Sequence, residues 1–172
     1  NDFTSAVGVT GTTVQVTDTN DLDLGATTTT GAYTVIAGGG ITDSGTLTIG
    51  NAATFTAAAG QSIYLDNLDA SNNPTFGIHT FSGAVTFATP SGSLLNVTVR
   101  DSTAFDFGAA LTLAQVSSAG GNLIVTSGGN VTQTGGALTI PGTTTVKADG
   151  STVTLSNSSN NFTGAVSIDA LT

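Results

Sequence analysis

Apolar and polar residues alternate in short runs along the whole chain. Val7/Val9, Val14/Val16, Leu22/Leu24, Tyr33/Val35, Leu47/Ile49 and Ile63/Leu65 are each split by one polar or small residue. The pattern continues through Val85/Phe87, Val97/Val99, Phe105/Phe107, Leu123/Val125, Leu138/Ile140 and Val166/Ile168. A period of two is the mark of a strand with one face buried. Gly25, Gly31, Gly38-Gly39-Gly40, Gly45, Gly50 and Gly60 fall between the runs, where turns are needed. No window places apolar residues at helical spacing. Strands of three to five residues are too short for an ordinary sandwich. They suit a solenoid, in which three short strands and three turns make one coil. Val14 to Tyr33 is a step of 19 and Val35 to Phe55 a step of 20. The expectation is a parallel β-helix with about 20 residues per coil, in about eight or nine coils. At roughly 4.8 Å per coil the rod would be about 40 Å long.

A longer period lies over the short one. The motif F-[TS]-[GS]-A-V begins at Phe3, Phe81 and Phe162, in steps of 78 and 81. Val16 to Gly25 matches Val99 to Gly108 at a step of 83. Ile41-Thr42-Asp43-Ser44-Gly45 matches Val131-Thr132-Gln133-Thr134-Gly135. Such self-similarity means stacked units, each burying its apolar face against the next. The chain reads as one solenoid segment, with repeats over 1–78 and 79–159 and the start of a third over 160–172. Phe3, Phe81 and Phe162 are expected inside the tube, stacked at one corner; Leu22, Leu24, Phe105 and Phe107 should also face in. Asn72-Asn73-Pro74 and the Asn157 to Asn161 stretch read as turns at one repeat phase. Asn residues at matching turn positions are expected to stack into side-chain amide ladders. Neither end of the chain reads as a cap. The expectation is an interior window of a longer polymer, its open faces covered by more repeats of the same chain or by head-to-tail copies.

Composition narrows the function. The net charge is −9, with Arg100 and Lys147 the only strong bases, which leaves no cationic footprint for nucleic acid or anionic lipid. The apolar runs are too short for membrane insertion. With no Cys and one His, nucleophile–base pairs and zinc sites have no basis. His79, in Ile78-His79-Thr80-Phe81, reads as solvent-facing between apolar neighbours.

All 11 acidic residues are Asp. Asp18 and Asp101 occupy matching positions, as do Asp23 and Asp106, and paired carboxylates are what glycosidases use. Yet Asp23 lies between Leu22 and Leu24, and Asp106 between Phe105 and Phe107, so alternation puts both outside. Asp18, Asp21 and Asp23 offer oxygen ligands of the kind Ca²⁺ takes, but the second copy has Ala104 in place of Asp21. These positions read as solvated acidic turns. Pairs such as Thr46/Thr48, Thr54/Thr56 and Thr143/Thr145 are too unevenly spaced for a flat ice-binding array. Asn96, Asn130, Asn157 and Asn161 match the N-x-[ST] acceptor pattern. No catalytic, cofactor-binding or metal-ligating residue is assigned, no cofactor is expected, and the chain is read as not an enzyme.

The F-[TS]-[GS]-A-V motifs, with the D-x-x-x-x-D-[LF]-G elements at Asp18 and Asp101, resemble the repeats of filamentous-haemagglutinin-like adhesins. Those are large exoproteins of bacterial two-partner secretion. The resemblance implies a right-handed parallel β-helix, secreted and displayed at the cell surface as a fibre. The expected role is a structural rod supporting cell–cell or cell–surface contact, with host or bacterial surface glycans or proteins as partners. A polysaccharide-active β-helix enzyme and a glycan- or ice-binding solenoid are the alternatives.

Overall fold

The computed structural model describes residues 1–66, 79–148 and 150–170; the Asn72-Asn73-Pro74 turn lies outside them. The described residues form strands and turns with no helix. Every pairing is parallel except the hairpin Gln115–Val116/Ala119–Gly120. One seven-stranded sheet runs the length of the molecule. Its strands, in order, are Leu22–Leu24, Ile41–Asp43, Ile63–Leu65, Val97–Asp101, Leu123–Ser127, Thr144–Ala148 and Val166–Ala170. A six-stranded sheet holds Val14–Asp18, Tyr33–Ala37, Ala53–Thr56, Val85–Ala88, Phe105–Phe107 and Val131–Gln133. Two shorter sheets close the coils. Thr10–Gly11, Thr27–Thr29, Leu47–Ile49 and Thr80–Phe81 form one; Leu111–Thr112, Leu138–Ile140 and Asn161–Phe162 form the other.

The result is a parallel β-solenoid of about seven turns with roughly 22 residues per turn. The expected partners Val14 with Tyr33 and Val35 with Phe55 are in register. Seven turns rather than eight or nine result because two coils are longer than the rest. Asn96 bonds to Ser62 across 34 residues, and Asn122 to Asn96 across 26. The second of these coils contains the hairpin, turned by Ser117 and Ser118 at positive φ.

Alternation sets the core. Along Tyr33–Ala37 the residues alternate between buried and half-buried. Leu24, Val35, Ile49, Phe55, Leu65, Val99, Val125 and Ile140 are fully enclosed. Phe55 and Phe87 stack at 6.2 Å, and Phe87 and Phe105 at 6.4 Å, giving the tube an aromatic seam that crosses three coils.

The two repeats are not stacked in phase. Val14–Asp18 lies on the six-stranded sheet, whereas its counterpart Val97–Asp101 lies on the seven-stranded one. From Val14 the register runs through Tyr33 and Ala53 to Val85, and Val97 is on the next side of that coil. The reverse holds for Leu22–Leu24, on the seven-stranded sheet, and its counterpart Phe105–Phe107, on the six-stranded one, so the second repeat is turned until the two long sheets exchange places. Accordingly, the seven-stranded sheet has three-residue strands in the first repeat and five-residue strands in the second. The local contacts survive this rotation. A Cβ on Gly45 would clash with the backbone of Gly25 and Ala26, and one on Gly135 with that of Gly108 and Ala109. Both glycines permit the same close approach of neighbouring coils.

The motif phenylalanines depart from expectation. Phe81 is 2 % exposed, paired with Ile49, and its ring lies 6.0 Å from Phe55. Phe162 pairs with Ile140 on a different sheet and is only half-buried. Phe3 is 36 % exposed, because no further coil covers it among the described residues. The three do not stack at one corner. Several coils and the rotation separate them. Leu22, Leu24, Phe105 and Phe107 are buried as expected.

Candidate functional site

The ionisable side chains fall into two groups, one inside the tube and one spanning coils on its surface. Asp18 and Asp101 belong to the first, at 3 % and 1 % exposed, not to solvated turns. In V-x-V-x-D the carboxylate stands two and four residues from inward valines and shares their phase. Each accepts the backbone N–H of the motif phenylalanine on the preceding coil: Phe3 to Asp18 at 3.2 Å, Phe81 to Asp101 at 3.4 Å. Each also caps the turn that follows it, through the N–H of Thr19 at 2.9 Å and of Thr103 at 3.0 Å. Buried carboxylates thus satisfy N–H groups at the turns, although that of Thr19 also reaches Asn1 O on the preceding coil at 3.0 Å. Burial pushes the Asp101 carboxyl above the ordinary carboxylate range; hydrogen bonds from Thr103 and Phe81, and the nearby His79, partly oppose this.

His79 is buried, contrary to the solvent-facing reading. It stands two residues before inward Phe81, so it shares that phase. Its Nδ1 accepts the Leu47 N–H at 3.0 Å, which puts the proton of the neutral ring on Nε2. Nε2 lies 3.2 Å from Asp43 Oδ2, both side chains wholly enclosed, but off the line of a good hydrogen bond. A buried Asp–His pair suggests a catalytic relay. Its second nitrogen is already committed to a backbone N–H, however, and the ring has no path to solvent.

The second repeat shows what the pair is for. Asn160 stands two residues before Phe162, as His79 does before Phe81. Its Oδ1 accepts the Leu138 N–H at 2.8 Å, and its amide exchanges bonds with Gln133 at 2.8 and 2.9 Å. Gln133 matches Asp43, and Leu138 matches Leu47. One structural clamp is thus built from Asp–His in one repeat and from Gln–Asn in the other.

The surface group also joins coil to coil. Asp21 accepts the Gly40 N–H at 2.7 Å and Asp23 accepts Ser44 Oγ–H at 2.8 Å. Asp106 accepts Thr132 Oγ1–H at 2.8 Å and the Thr134 N–H at 3.0 Å. Asn96 accepts the Asn122 N–H, and Asn122 accepts the Thr143 N–H at 2.8 Å. Asn130 does the same for Thr152. At these positions the expected amide-to-amide ladders are replaced by links from Asn Oδ1 to backbone N–H groups of the neighbouring coil. Of the four N-x-[ST] asparagines, Asn96 and Asn130 are engaged in these links.

The candidate carboxylates are not brought together. Asp18 and Asp106 belong to the six-stranded sheet, one facing in and one out; Asp23 and Asp101 are on the seven-stranded sheet, three strands apart. Asp18 faces inward while Asp21 and Asp23 reach different neighbours, so the three do not converge. No group of three His, Cys, Asp or Glu suited to a metal occurs among the described residues. Arg100 faces outward beside Thr126, which stands beside Lys147, away from these carboxylates. Thr10, Thr28, Thr48 and Thr80 make a single column, not the double one an ice-binding face needs. Sequence reasoning missed Tyr64. It is 38 % exposed and borders a shallow depression of about 360 Å³ with Asp21, Thr42, Gln61 and Ser62. Its even phase among inward Ile63 and Leu65 was the available signal.

These features define a class: an all-β parallel solenoid whose polar side chains clamp each coil to the next. The chain belongs to the family described as repeats of unknown function (DUF5649), whose model matches residues 11–88 and 94–169. No curated protein and no solved structure matches the chain.

Proposed function

We propose that this chain is a structural rod, a segment of a secreted or surface-displayed bacterial repeat adhesin that supports contact between cells or with a surface. One observation carries the reading. The side chains with chemical potential, Asp18, His79, Asp101, Asp21, Asp23 and Asp106, are spent on holding coil to coil. Every coil then adds its own layer of hydrogen bonds and apolar contact, so length is gained without a new core. The likeness of the Phe3, Phe81 and Phe162 motifs to filamentous-haemagglutinin-like repeats supports the adhesin role and an extracellular place. Surface glycans or proteins are the partners it implies. The depression beside Tyr64, an exposed ring among hydrogen-bonding groups, favours a glycan-binding wall as the second reading. The test is made on the source bacterium. Antibody to these repeats should label intact cells, surface proteolysis should remove the label, and deleting the repeats should reduce attachment or aggregation. Label found only after lysis, or unchanged attachment, would overturn the reading.

A further inference from the structure

The depression beside Tyr64 is built from the first repeat, and its two strongest groups have no equal in the second. Its lining joins successive coils: Asp21 on one, Thr42 on the next, and Gln61, Ser62 and Tyr64 on a third. Its volume of about 360 Å³ suits a small ligand, and no Lys, Arg or His lines it among the described residues.

The fold itself does not require the ring or the carboxylate. Ile41 pairs with Ile63, and in the second repeat Val131 pairs with Val153. Tyr64 therefore corresponds to Thr154. Leu22 N–H donates to Gly40 O at 3.0 Å, and Phe105 N–H to Asn130 O at 2.8 Å. Asp21 therefore corresponds to Ala104. The second repeat makes the same pairings without either side chain. The two are present together in one copy and absent together from the other. Tyr64 also places an aromatic face, 38 % exposed, on a wall that carries threonine at Thr42 and Thr98.

Both groups are held in place in advance. Asn96 Nδ2–H donates to Tyr64 Oη and to Ser62 Oγ, each at 3.3 Å, while its Oδ1 accepts the Asn122 N–H at 3.1 Å. Asp21 Oδ1 accepts the Gly40 N–H at 2.7 Å, and its Oδ2 takes no hydrogen bond from the described residues. Gly39 makes room for this, since a Cβ there would collide with Asp21 Oδ1. Groups fixed beforehand lose less entropy on binding.

We propose that Tyr64 and Asp21 form a subsite for one uncharged pyranose residue of a glycan. The C–H face of the sugar lies on the Tyr64 ring, and apolar surface is buried on both sides. One sugar hydroxyl donates to Asp21 Oδ2, a charge-assisted bond, and a neighbouring one accepts from the Gln61 amide. Asp21 also sets the ligand class. With no cation in the lining and a net charge of −9, the site repels uronic and sulfated sugars. The subsite deepens the glycan-binding reading, on which it rests, and leaves the rod reading as it stands.

The test is an NMR titration of the 172-residue chain with neutral tetrasaccharides of glucose, galactose, mannose and N-acetylglucosamine, and with tetragalacturonate. At about 10 mM, enough to fill a site of millimolar Kd, at least one neutral sugar should shift the Tyr64 ring protons and the Gly40 and Gln61 amides. Tetragalacturonate should not. Tyr64→Thr and Asp21→Ala install the second repeat's own residues. Each should keep the parent's circular dichroism spectrum and weaken that binding about tenfold or more. The absence of a shift with every neutral sugar overturns the proposal. So does equal binding of tetragalacturonate, or binding unchanged in either variant. A neutral sugar that shifts only amides elsewhere overturns this subsite but keeps the glycan reading; the rod reading is judged separately by its cell-surface assay.

Discussion

At the scale of single residues, His79 and Asp101 are the most informative, because each pairs a titratable group with a backbone N–H inside the tube. His79 does with an imidazole what Asn160 does with an amide. The Asp43→Gln, His79→Asn double variant should therefore rebuild the Gln133–Asn160 clamp in the first repeat. Its urea-unfolding free energy should stay within about 1 kcal/mol of the parent, whereas His79→Ala should lose about 3 kcal/mol, since it orphans the Leu47 N–H and empties the space of a fully buried ring. A double variant as unstable as His79→Ala would refute the equivalence. Asp101 gives a pH dependence of definite sign. Its folded pKa is raised, mainly by burial, so the fold favours the protonated carboxyl. That contribution is complete below the unfolded value of about 3.9 and is lost as pH rises through the folded value. Asp101→Asn removes this titration. Unfolding midpoints measured from about pH 4 to 7 should show the variant gaining on the parent as pH rises, then holding a constant difference.

At the scale of elements, the same motif has different weight in different coils. Phe81 is enclosed by Phe55 and Ile49, whereas Phe3 has solvent on one side. Phe81→Ala should cost about 3–5 kcal/mol, the range for emptying a packed aromatic site. Phe3→Ala should cost less than about 1 kcal/mol, as a partly exposed residue does. Denaturant titration of both variants checks this; equal losses would mean that the outer coil is packed like the inner ones. The strands themselves are only two to five residues long. None is stable alone, and each depends on coils above and below for its hydrogen bonds.

At the scale of the molecule, a repeat that exchanges the two long sheets has a consequence for stability and for surface. Equivalent outer residues of adjacent repeats face different walls, and only the third copy returns to the first wall, with Val166 on the sheet that Val7 joins through Leu24. The interior is indifferent to this, because inward residues from every side share one core. Stability should therefore grade along the axis rather than divide between repeats. In hydrogen exchange, the amides of Tyr33–Ala37, Ala53–Thr56 and Val97–Asp101 should be the slowest. Those of Asn161–Phe162 and Val166–Ala170, which among the described residues have a neighbour on one side only, should exchange first in the 172-residue chain. Uniform protection from Val14 to Ala170 would contradict this gradient.

The alternating apolar pairs and glycine turns by themselves determined strands, parallel stacking and a coil near 20 residues, since a period of two admits only an inward and an outward face. The repeat was legible too, down to the pairing of Val14 with Tyr33. Alternation also carried the signal for His79, Asp18 and Asp101. It was masked by the rule that polar residues face out, which fails wherever a turn leaves a backbone N–H inside that needs an acceptor. Two things were decided only by the tertiary structure. One is the rotation of the second repeat, because a sequence period counts residues and not sides of a coil. The other is the clamp shared by Asp43–His79 and Gln133–Asn160. Its chemistry differs between copies, and only the common partners Leu47 and Leu138, brought beside it by the stacking of coils, show that the two are one device.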